Sequence, residues 1–388
     1  MKPKIAQRIR ELPPYLFARI DELKNDQKAR GVDVIDLGIG DPDLPTPPHI
    51  VAALQAAAAD PAHHRYPSYA GMLETRRACA DFYRRRFGVE LDPQAEVLTL
   101  IGSKEGIAHL PLALVDPGDL VLCPDPGYPV YATGTRFVGG EVGGVPLRRE
   151  NGFLPDLAAI PAAVARRAKV MWVNYPNNPT AALASRGFYE ALVAFARAHD
   201  VVLASDLAYS EVYFDEADRP GSLLEVPGAR DVAIEFYSLS KTYNMTGWRV
   251  GFAVGNRDLV GALGKVKTNV DSGVFEAVQR AAIAAVTGDQ ACVAEMRATY
   301  RRRADVLCGG LERLGLDVLR PRASFYCLVQ VPRGTTSLDF AGKVLSEAGV
   351  VVTPATGFGP GGEGFVRLTV CAPEARLAEA VERIGRIV

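Results

Sequence analysis

Apolar runs alternate with amphipathic stretches through the middle of the chain. The segment between two of these runs repeats Phe188, Leu192 and Phe195 at helical steps, and it follows Ser185, whose hydroxyl can cap a helix. Strands that alternate with helices predict a largely parallel sheet covered by helices on both faces, which is an α/β fold. The runs that have the character of buried strands are residues 96–102, 119–124, 169–176, 200–206, 232–240 and 249–255.

The pattern changes near residue 285. A long charged helical segment, residues 292–315, is followed by short strand-like runs at 323–331 and 364–370. These elements predict a smaller α+β domain. The N-terminal 40 residues hold one helical stretch and one apolar run, too little to fold alone, so we expect them to dock on that domain. We therefore predict two domains, a large one of residues 44–284 and a small one of residues 1–43 and 285–388.

Composition narrows the classes of function. The 388 residues are 48% hydrophobic and carry a formal net charge of -1, so there is no basic field of the kind that nucleic acids or anionic membranes attract. The six cysteines form no C-x-x-C pair, and His63 and His64 have no carboxylates at ligand spacing. The charged N-terminus has no signal-peptide core. We expect a cytoplasmic protein that acts on small molecules, without a metal, nucleic-acid or membrane partner.

Lys241, in the stretch SLSKTYNMTGWR, directly follows the fifth apolar run, and Asp206 closes the fourth. Ligands of open α/β sheets bind at such carboxyl ends of strands. A lysine whose pKa is lowered by burial can attack an aldehyde and form a Schiff base. Ser238, Ser240 and Arg249 add hydroxyl and guanidinium donors that suit a phosphate dianion. An aldehyde together with a phosphate indicates pyridoxal 5′-phosphate as the cofactor.

Other stretches can complete such a site. Ser103 and Lys104 follow a glycine at a strand-to-helix turn, where free backbone N–H groups attract phosphate, although an ordinary helix start explains the same residues. Tyr209 lies three residues after Asp206, so one turn can present a carboxylate to the pyridine nitrogen and a phenol to the ring oxygen. Two more side chains suit the ring, an amide for its oxygen and a phenol for stacking, namely Asn178 and Tyr128.

The order of NNPT, SDLAY and SLSKTYNMTGWR resembles the class I and II aminotransferases of pyridoxal-phosphate fold type I, and the match runs nearly from end to end. The resemblance implies a seven-stranded, mostly parallel sheet in the large domain. It implies catalytic roles for Lys241, Asp206 and Tyr209. It also implies a homodimer in which Tyr66 reaches the neighbouring subunit's phosphate, and a clamp for the substrate α-carboxylate at Arg367. The implied cofactor ligands are Ser103, Lys104, Tyr128, Asn178, Asp206, Tyr209, Ser238, Ser240, Lys241 and Arg249.

Within that family, five stretches resemble the bacterial LL-diaminopimelate aminotransferase branch: LPPYLFARIDELK, DLGIGDPDLPTP, YPSYAGM, IGSKEGIAHL and KTNVDSGVFEAVQ. One departure is Ala181, where many relatives have glycine after NPT. This difference can alter the local turn but removes no side-chain function. The substrate contacts that the branch implies are Tyr15, Gly40, Lys104, Asn178, Asn269 and Arg367.

The resemblance implies a ping-pong transamination in which Lys241 moves the Cα proton and Asp206 keeps the cofactor an electron sink. L-Glutamate would be the amino donor and tetrahydrodipicolinate the acceptor, which gives LL-2,6-diaminopimelate for lysine biosynthesis. Alanine- and aspartate-type aminotransferases would use the same catalytic residues. The acceptor therefore rests on the resemblance alone.

Two other classes of protein share parts of the pattern. SLSK fits the S-x-x-K motif of penicillin-interacting serine acyl enzymes, with Ser238 as nucleophile, but SDL at 205–207 and KTY at 241–243 fail to complete the partner motifs. A transcription regulator built on this fold would need an added helix-turn-helix domain, for which the N-terminal 40 residues are too short. The sequence therefore favours the aminotransferase.

Overall fold

The computed structural model describes residues 3–12 and 16–388, with side chains for all of these except residues 16–21. Within these residues the α-helices are α1 (Gln7–Arg10), α2 (Leu16–Ala29), α3 (Pro48–Ala58), α4 (Leu73–Phe87), α5 (Ser103–Leu114), α6 (Val130–Phe137), α7 (Ala162–Arg167), α8 (Arg186–His199), α9 (Ala229–Val232), α10 (Leu239–Thr242), α11 (Arg257–Val270), α12 (Glu276–Thr287), α13 (Ala291–Arg313), α14 (Ser337–Ala348) and α15 (Glu374–Gly385). The strands are β1 (Ile35–Asp36), β2 (Val97–Leu100), β3 (Leu120–Asp125), β4 (Glu141–Pro146), β5 (Ala168–Asn174), β6 (Val202–Asp206), β7 (Ala233–Ser238), β8 (Gly251–Gly255), β9 (Val318–Leu319), β10 (Tyr326–Gln330), β11 (Val350–Val351), β12 (Thr353–Pro354) and β13 (Phe365–Thr369). None of the helices in this part of the chain is both long and apolar enough to cross a membrane.

The largest sheet of the described residues has seven strands in the order β2-β8-β7-β6-β5-β3-β4. Neighbouring strands from β7 to β4 pair in parallel, and β8 alone runs antiparallel to its neighbours β7 and β2. Successive residues of β7 point to opposite faces, so that Phe236 packs in one apolar cluster with Trp172, while Tyr237 packs in another with Leu192. Both faces are therefore buried, which confirms the predicted α/β fold.

The apolar runs predicted six of these seven strands, and the missed strand is β4. It lies at the edge of the sheet, is largely exposed, and carries the glycine pair Gly143 and Gly144. An edge strand buries fewer side chains than a central one and need not be apolar, so the pattern gave no signal for it. The predicted cap of α8 is confirmed, since Ser185 Oγ accepts a hydrogen bond from the Phe188 N–H at 3.1 Å.

A second layer is built mainly from the C-terminal part of the chain. An antiparallel sheet has the strand order β12-β13-β10-β9. The N-terminal β1 pairs in parallel with β11, with Ile35 opposite Val350, so the start of the chain is hydrogen-bonded to this layer. The domain boundaries at residues 43/44 and 284/285 stay a prediction.

The segment of residues 38–46, called the crossing segment below, leads from this layer to the large sheet. At one end, the Leu37 carbonyl accepts a hydrogen bond from the Thr369 N–H at 2.9 Å, beside β13. At the other end, Thr46 Oγ1 donates to the Asn244 carbonyl at 2.7 Å, close to α10. The crossing segment therefore passes over the carboxyl edge of the large sheet, where β6 and β7 end.

Candidate active site

A cavity of about 530 Å³ opens at the carboxyl ends of β5, β6 and β7 and reaches β13 of the smaller layer. Its size and its mixture of apolar walls and convergent polar groups are typical of a small-molecule site. The sequence-predicted residues that line it are Gly40, Ser103, Lys104, Tyr128, Asn178, Asp206, Tyr209, Ser238, Ser240, Lys241, Arg249 and Arg367.

Asp206 ends β6 and is 5% exposed. Its Oδ2 accepts a hydrogen bond from the Tyr131 hydroxyl at 2.8 Å, and its Oδ1 accepts one from the Ala208 N–H at 3.3 Å. Burial raises the pKa of Asp206 to about 6, and the Tyr131 hydrogen bond acts against this rise. A carboxylate held in this way is a strong partner for a cationic ring nitrogen, since a nearby positive charge favours its ionised form.

Lys241 lies in α10, the single helical turn that follows β7. Its Nζ donates to the carbonyl of Gly40 at 3.1 Å and lies 5.7 Å from the centre of the Phe325 ring. Burial lowers the pKa of the Lys241 amine, and the guanidinium groups of Arg249 and Arg367 lower it further. A lowered pKa increases the fraction of neutral amine, which is the nucleophilic and basic form.

Anion-binding groups gather at one end of the cavity. Ser103 is the first residue of α5, and the preceding Gly102 adopts φ 74°, a left-handed conformation that favours glycine. A Cβ at Gly102 would contact the guanidinium of Arg249, so the glycine also gives that side chain its space. Ser240 Oγ is buried and makes no hydrogen bond within the described residues. These donors form a cradle with a polar group left for a ligand.

Arg367 projects from β13 into the other end of the cavity and is 2% exposed. Its Nη1 donates to Asn178 Oδ1 at 2.8 Å and its Nη2 to the Gly38 carbonyl at 2.6 Å. The guanidinium lies between two aromatic rings, 4.2 Å from the centre of Tyr326 and 4.5 Å from that of Phe358. A planar cation fixed in this manner suits bidentate recognition of a carboxylate.

Tyr209 and Tyr326 lie between the two ends of the cavity described above. Their hydroxyl oxygens lie 3.1 Å apart, and their rings meet edge to face at 5.7 Å. Burial raises the pKa of Tyr209 well above its ordinary value, so this phenol keeps its proton and can donate a hydrogen bond. Asn178 is oriented by its own backbone N–H, which donates to Asn174 Oδ1 at 2.8 Å.

Two predicted residues do not line the cavity of this single chain, and a third lies outside the described residues. Tyr66 is 90% exposed on the surface. Asn269 is exposed near the end of α11, where its Nδ2 donates to the Lys265 carbonyl at 2.8 Å. Tyr15 lies outside the described residues. The roles assigned to all three stay predictions.

Sequence reasoning missed several side chains of the site. Tyr131, which holds Asp206, lies three residues after the predicted Tyr128, so helical spacing offered a signal for it. Asn174 ends β5 beside Asp206, as the register of the two strands requires. Tyr326 and Phe358 come from the smaller layer, and nothing local in the sequence points them at the cavity.

Ala181, the departure from the usual glycine, has φ 58° and is 6% exposed. A residue with a Cβ is strained by roughly 1–2 kcal/mol in this left-handed region. The turn nevertheless closes, because the Ala181 N–H donates to the Asn177 carbonyl at 2.8 Å. The expected alteration of the turn is therefore strain at one residue.

Among the described residues, Glu105, His109 and Asp271 are close enough together to hold a metal ion. The ammonium of Lys267 already supplies a cation there, since its Nζ lies 3.0 Å from Glu105 Oε2 and 2.7 Å from Asp271 Oδ1. This cluster lies outside the residues that line the cavity. It is best described as a buried ion-pair network.

The residues of the cavity fit pyridoxal phosphate. The serine and arginine donors and the start of α5 suit its phosphate, Asp206 suits its pyridine nitrogen, and Tyr209 and Asn178 suit its ring oxygen. A phosphate oxygen would give the unpartnered Ser240 hydroxyl an acceptor. Lys241 provides the amine for the aldehyde.

Known proteins similar to this chain agree with that fit. The sequence signature of the family "aminotransferase class I and II" matches residues 32–384. The chain is 58% identical to the LL-diaminopimelate aminotransferase of Syntrophobacter fumaroxidans over 382 residues, which cover 98% of both proteins. It is 56% identical to the LL-diaminopimelate aminotransferase of Aquifex aeolicus over 384 residues, which cover 99% of both.

Among solved structures, substrate-bound BacF from Bacillus subtilis superimposes with a TM-score of 0.96 at 38% identity, covering 100% of this chain and 98% of that one. Both the sequence signature and the relatives therefore span almost the entire fold described above. The chain belongs to the aminotransferase class I and II family and is a pyridoxal-phosphate-dependent aminotransferase.

Proposed function

We propose that this chain is an LL-diaminopimelate aminotransferase, which moves the amino group of L-glutamate to tetrahydrodipicolinate and forms LL-2,6-diaminopimelate for lysine biosynthesis. The observation that carries the transamination is the placement of the Lys241 amine in one cavity with the carboxylate of Asp206 and the guanidinium of Arg367. The choice of substrates is supported by full-length relatives of that name.

When bound, pyridoxal phosphate supplies an electron sink for the carbanion at the substrate Cα. Lys241 would hold the cofactor aldehyde between turnovers, and once displaced by substrate its amine would take the proton from the substrate Cα as general base and later return it as general acid. Its lowered pKa, caused first by burial, favours the neutral amine that this proton transfer requires. Asp206 would keep the ring nitrogen protonated, and Tyr209 and Asn178 would donate to the ring oxygen.

Arg367 orients the substrate. Its two Nη groups are fixed by Asn178 and by the Gly38 carbonyl, so the guanidinium plane is set before substrate arrives. A carboxylate on this group places the neighbouring Cα toward Lys241. The same contact serves glutamate and the second substrate, because both carry a carboxylate next to the reacting carbon. We assign further substrate contacts to Gly40, Lys104, Asn178, Asn269 and Tyr15.

We further propose a homodimer in which Tyr66 completes the phosphate site of the neighbouring subunit. Tyr66 and Tyr69 are 90% and 48% exposed, and Val270 and Phe275 are 57% and 44% exposed. The two stretches form one surface, since a Cβ at Gly273 would lie 2.9 Å from the Ser68 carbonyl. An apolar surface of this kind marks a protein contact. Gel filtration of a Tyr66→Phe variant and the wild type should give a dimer for both, with weaker cofactor binding only in the variant.

We also place the enzyme in the cytoplasm, because its six cysteines are free, as is usual in a reducing compartment.

The test of the cofactor link uses the visible spectrum. Purified protein should be yellow, should change its absorbance with L-glutamate, and should recover it with 2-oxoglutarate. Borohydride reduction and peptide mapping should find a pyridoxyl group on Lys241. The Lys241→Ala variant should still bind the cofactor but lose turnover. A colourless protein, or no adduct at Lys241, would refute the proposal.

The test of the substrates compares glutamate-dependent turnover with three acceptors: tetrahydrodipicolinate, pyruvate and oxaloacetate. The proposed enzyme prefers tetrahydrodipicolinate. Equal or faster turnover with pyruvate would instead make it an alanine-type aminotransferase, which shares every catalytic residue named above.

A further inference from the structure

The crossing segment, residues 38–46, lies against two cationic side chains of the cavity, Arg367 and Lys241. The Gly38 carbonyl accepts hydrogen bonds from Arg367 Nη2 at 2.6 Å and from Thr353 Oγ1 at 2.8 Å. The Gly40 carbonyl accepts one from Lys241 Nζ at 3.1 Å. A Cβ at Gly40 would collide with the Tyr326 ring, so the backbone itself forms this part of the wall. A small displacement of the segment therefore disturbs the groups that handle both the carboxylate and the proton.

Asp43, three residues beyond Gly40, fixes the segment from its outer side. Arg303, in the middle of α13, donates from Nη1 to Asp43 Oδ1 at 2.7 Å and from Nη2 to Oδ2 at 3.0 Å. The Arg303 side chain is 7% exposed and that of Asp43 is 27% exposed. Arg303 Nη1 also lies 3.5 Å from the Val370 carbonyl, just past the end of β13, the strand that carries Arg367. One guanidinium therefore joins the crossing segment to the strand of the carboxylate clamp.

For holding the crossing segment in place, the bidentate geometry of the pair between Arg303 and Asp43 matters more than its charge. A buried ion pair is weak support for stability, because desolvation cancels much of the attraction. Two parallel N–H···O bonds instead fix position and orientation together. Lysine keeps the charge but has no fork, so Arg303→Lys separates the two contributions.

We propose that Arg303 is a positioning residue for substrate binding, which acts through its fork on Asp43 to hold the Gly38 and Gly40 carbonyls against Arg367 and Lys241. The inference rests on the proposed function, since it concerns the same cavity. Arg303 does not line the cavity, so it acts on substrate through its contacts with Asp43 and with the Val370 carbonyl.

The test compares Arg303→Lys and Asp43→Asn with the matched control Arg302→Lys, whose wild-type side chain pairs with Glu374 at 3.3 Å on the surface. Both test variants should raise the KM for L-glutamate about tenfold, which corresponds to about 1.4 kcal/mol. Their kcat should stay within about threefold of the wild type. The visible spectrum and the cofactor affinity should match those of the control, which should have the wild-type KM, whereas the thermal midpoints of the test variants should fall because a buried ion pair is weakened or broken.

The double variant Arg303→Lys with Asp43→Asn completes a double-mutant cycle, which measures whether the two side chains are coupled. If the two side chains act as one unit, its KM should not exceed that of the worse single variant. An unchanged KM in either single variant, effects that multiply in the double variant, or a KM rise that comes only with loss of cofactor would overturn the proposal. If Arg303→Lys does not fold, the KM of Asp43→Asn alone tests the proposal. A wild-type protein that glutamate does not convert refutes the proposed function, whereas a normal wild type with normal variants refutes only this inference.

Discussion

The Tyr131→Phe variant tests the electrostatics of the cavity most directly. In the wild type, burial raises the pKa of Asp206 to about 6, while the hydrogen bond from Tyr131 to Oδ2, at 2.8 Å, holds that pKa down. A hydrogen bond to a charged group contributes about 1.5–3 kcal/mol, and its loss shifts a pKa by about one to two units. The variant should therefore raise the pKa of Asp206 above its wild-type value by about one unit or more.

A protonated Asp206 no longer stabilises a positive ring nitrogen, so turnover falls on the acid side. The assay is the pH dependence of kcat/KM for glutamate, whose acid limb should move upward by about one unit or more in the variant. Tyr175→Phe is the control, because it removes another buried phenol whose hydroxyl donates to the Phe153 carbonyl at 2.8 Å, away from Asp206. Coincident acid limbs in the wild type and Tyr131→Phe, or an equal shift in the control, would refute the reasoning.

Three further outcomes follow from single residues. Arg367→Lys should keep the visible spectrum but raise the KM for glutamate by roughly 10- to 100-fold, because lysine cannot bind a carboxylate and both protein acceptors as a fork; an unchanged KM contradicts the clamp. Ala181→Val should lower the free energy of unfolding in urea by about 2–3 kcal/mol, since a β-branched side chain worsens the left-handed strain and overpacks the turn. Ala181→Gly should stay within about 1 kcal/mol of the wild type, because relief of strain offsets lost packing and added chain entropy. Equal effects of the two substitutions would count against strain at this residue. Burial raises the pKa of Glu235 from 4.5 to about 7, so the folded chain holds the Glu235 proton more tightly than the unfolded chain, and stability falls as pH rises through 7. Glu235→Gln should remove about 3 kcal/mol of that fall between about pH 4 and pH 8. Parallel curves of stability against pH for the two proteins would contradict this role of Glu235.

The parts of the site that the sequence could predict are those fixed by local position. Asp206 ends a buried strand and Lys241 follows the next one, and the carboxyl ends of neighbouring parallel strands meet at one edge. The start of α5 beside the cavity follows in the same way from the glycine turn before Ser103. These features depend on strand order and helix starts, which the hydrophobic pattern reveals.

The remaining parts depend on how the two layers pack. Tyr326 and Phe358 hold Arg367 between their rings, and Arg303 reaches Asp43 across 260 residues of chain. No spacing along the sequence brings such pairs together, because their contacts arise only when the smaller layer meets the large sheet. The edge strand β4 was missed for a related reason, since its place is set by pairing with β3 rather than by its own side chains.

The hydrogen bond between Arg367 and the Gly38 carbonyl joins positions 329 residues apart, so it can form only late in the synthesis of the chain. At about 5–20 residues per second, a ribosome would finish Gly38 roughly 20 to 60 seconds before Arg367 exists. During that time the beginning of the newborn chain has no final docking place. Substrate binding, and not the colour of the bound cofactor, would then report the completion of folding, since Arg367 joins the cavity only after the last tenth of the polypeptide has been made.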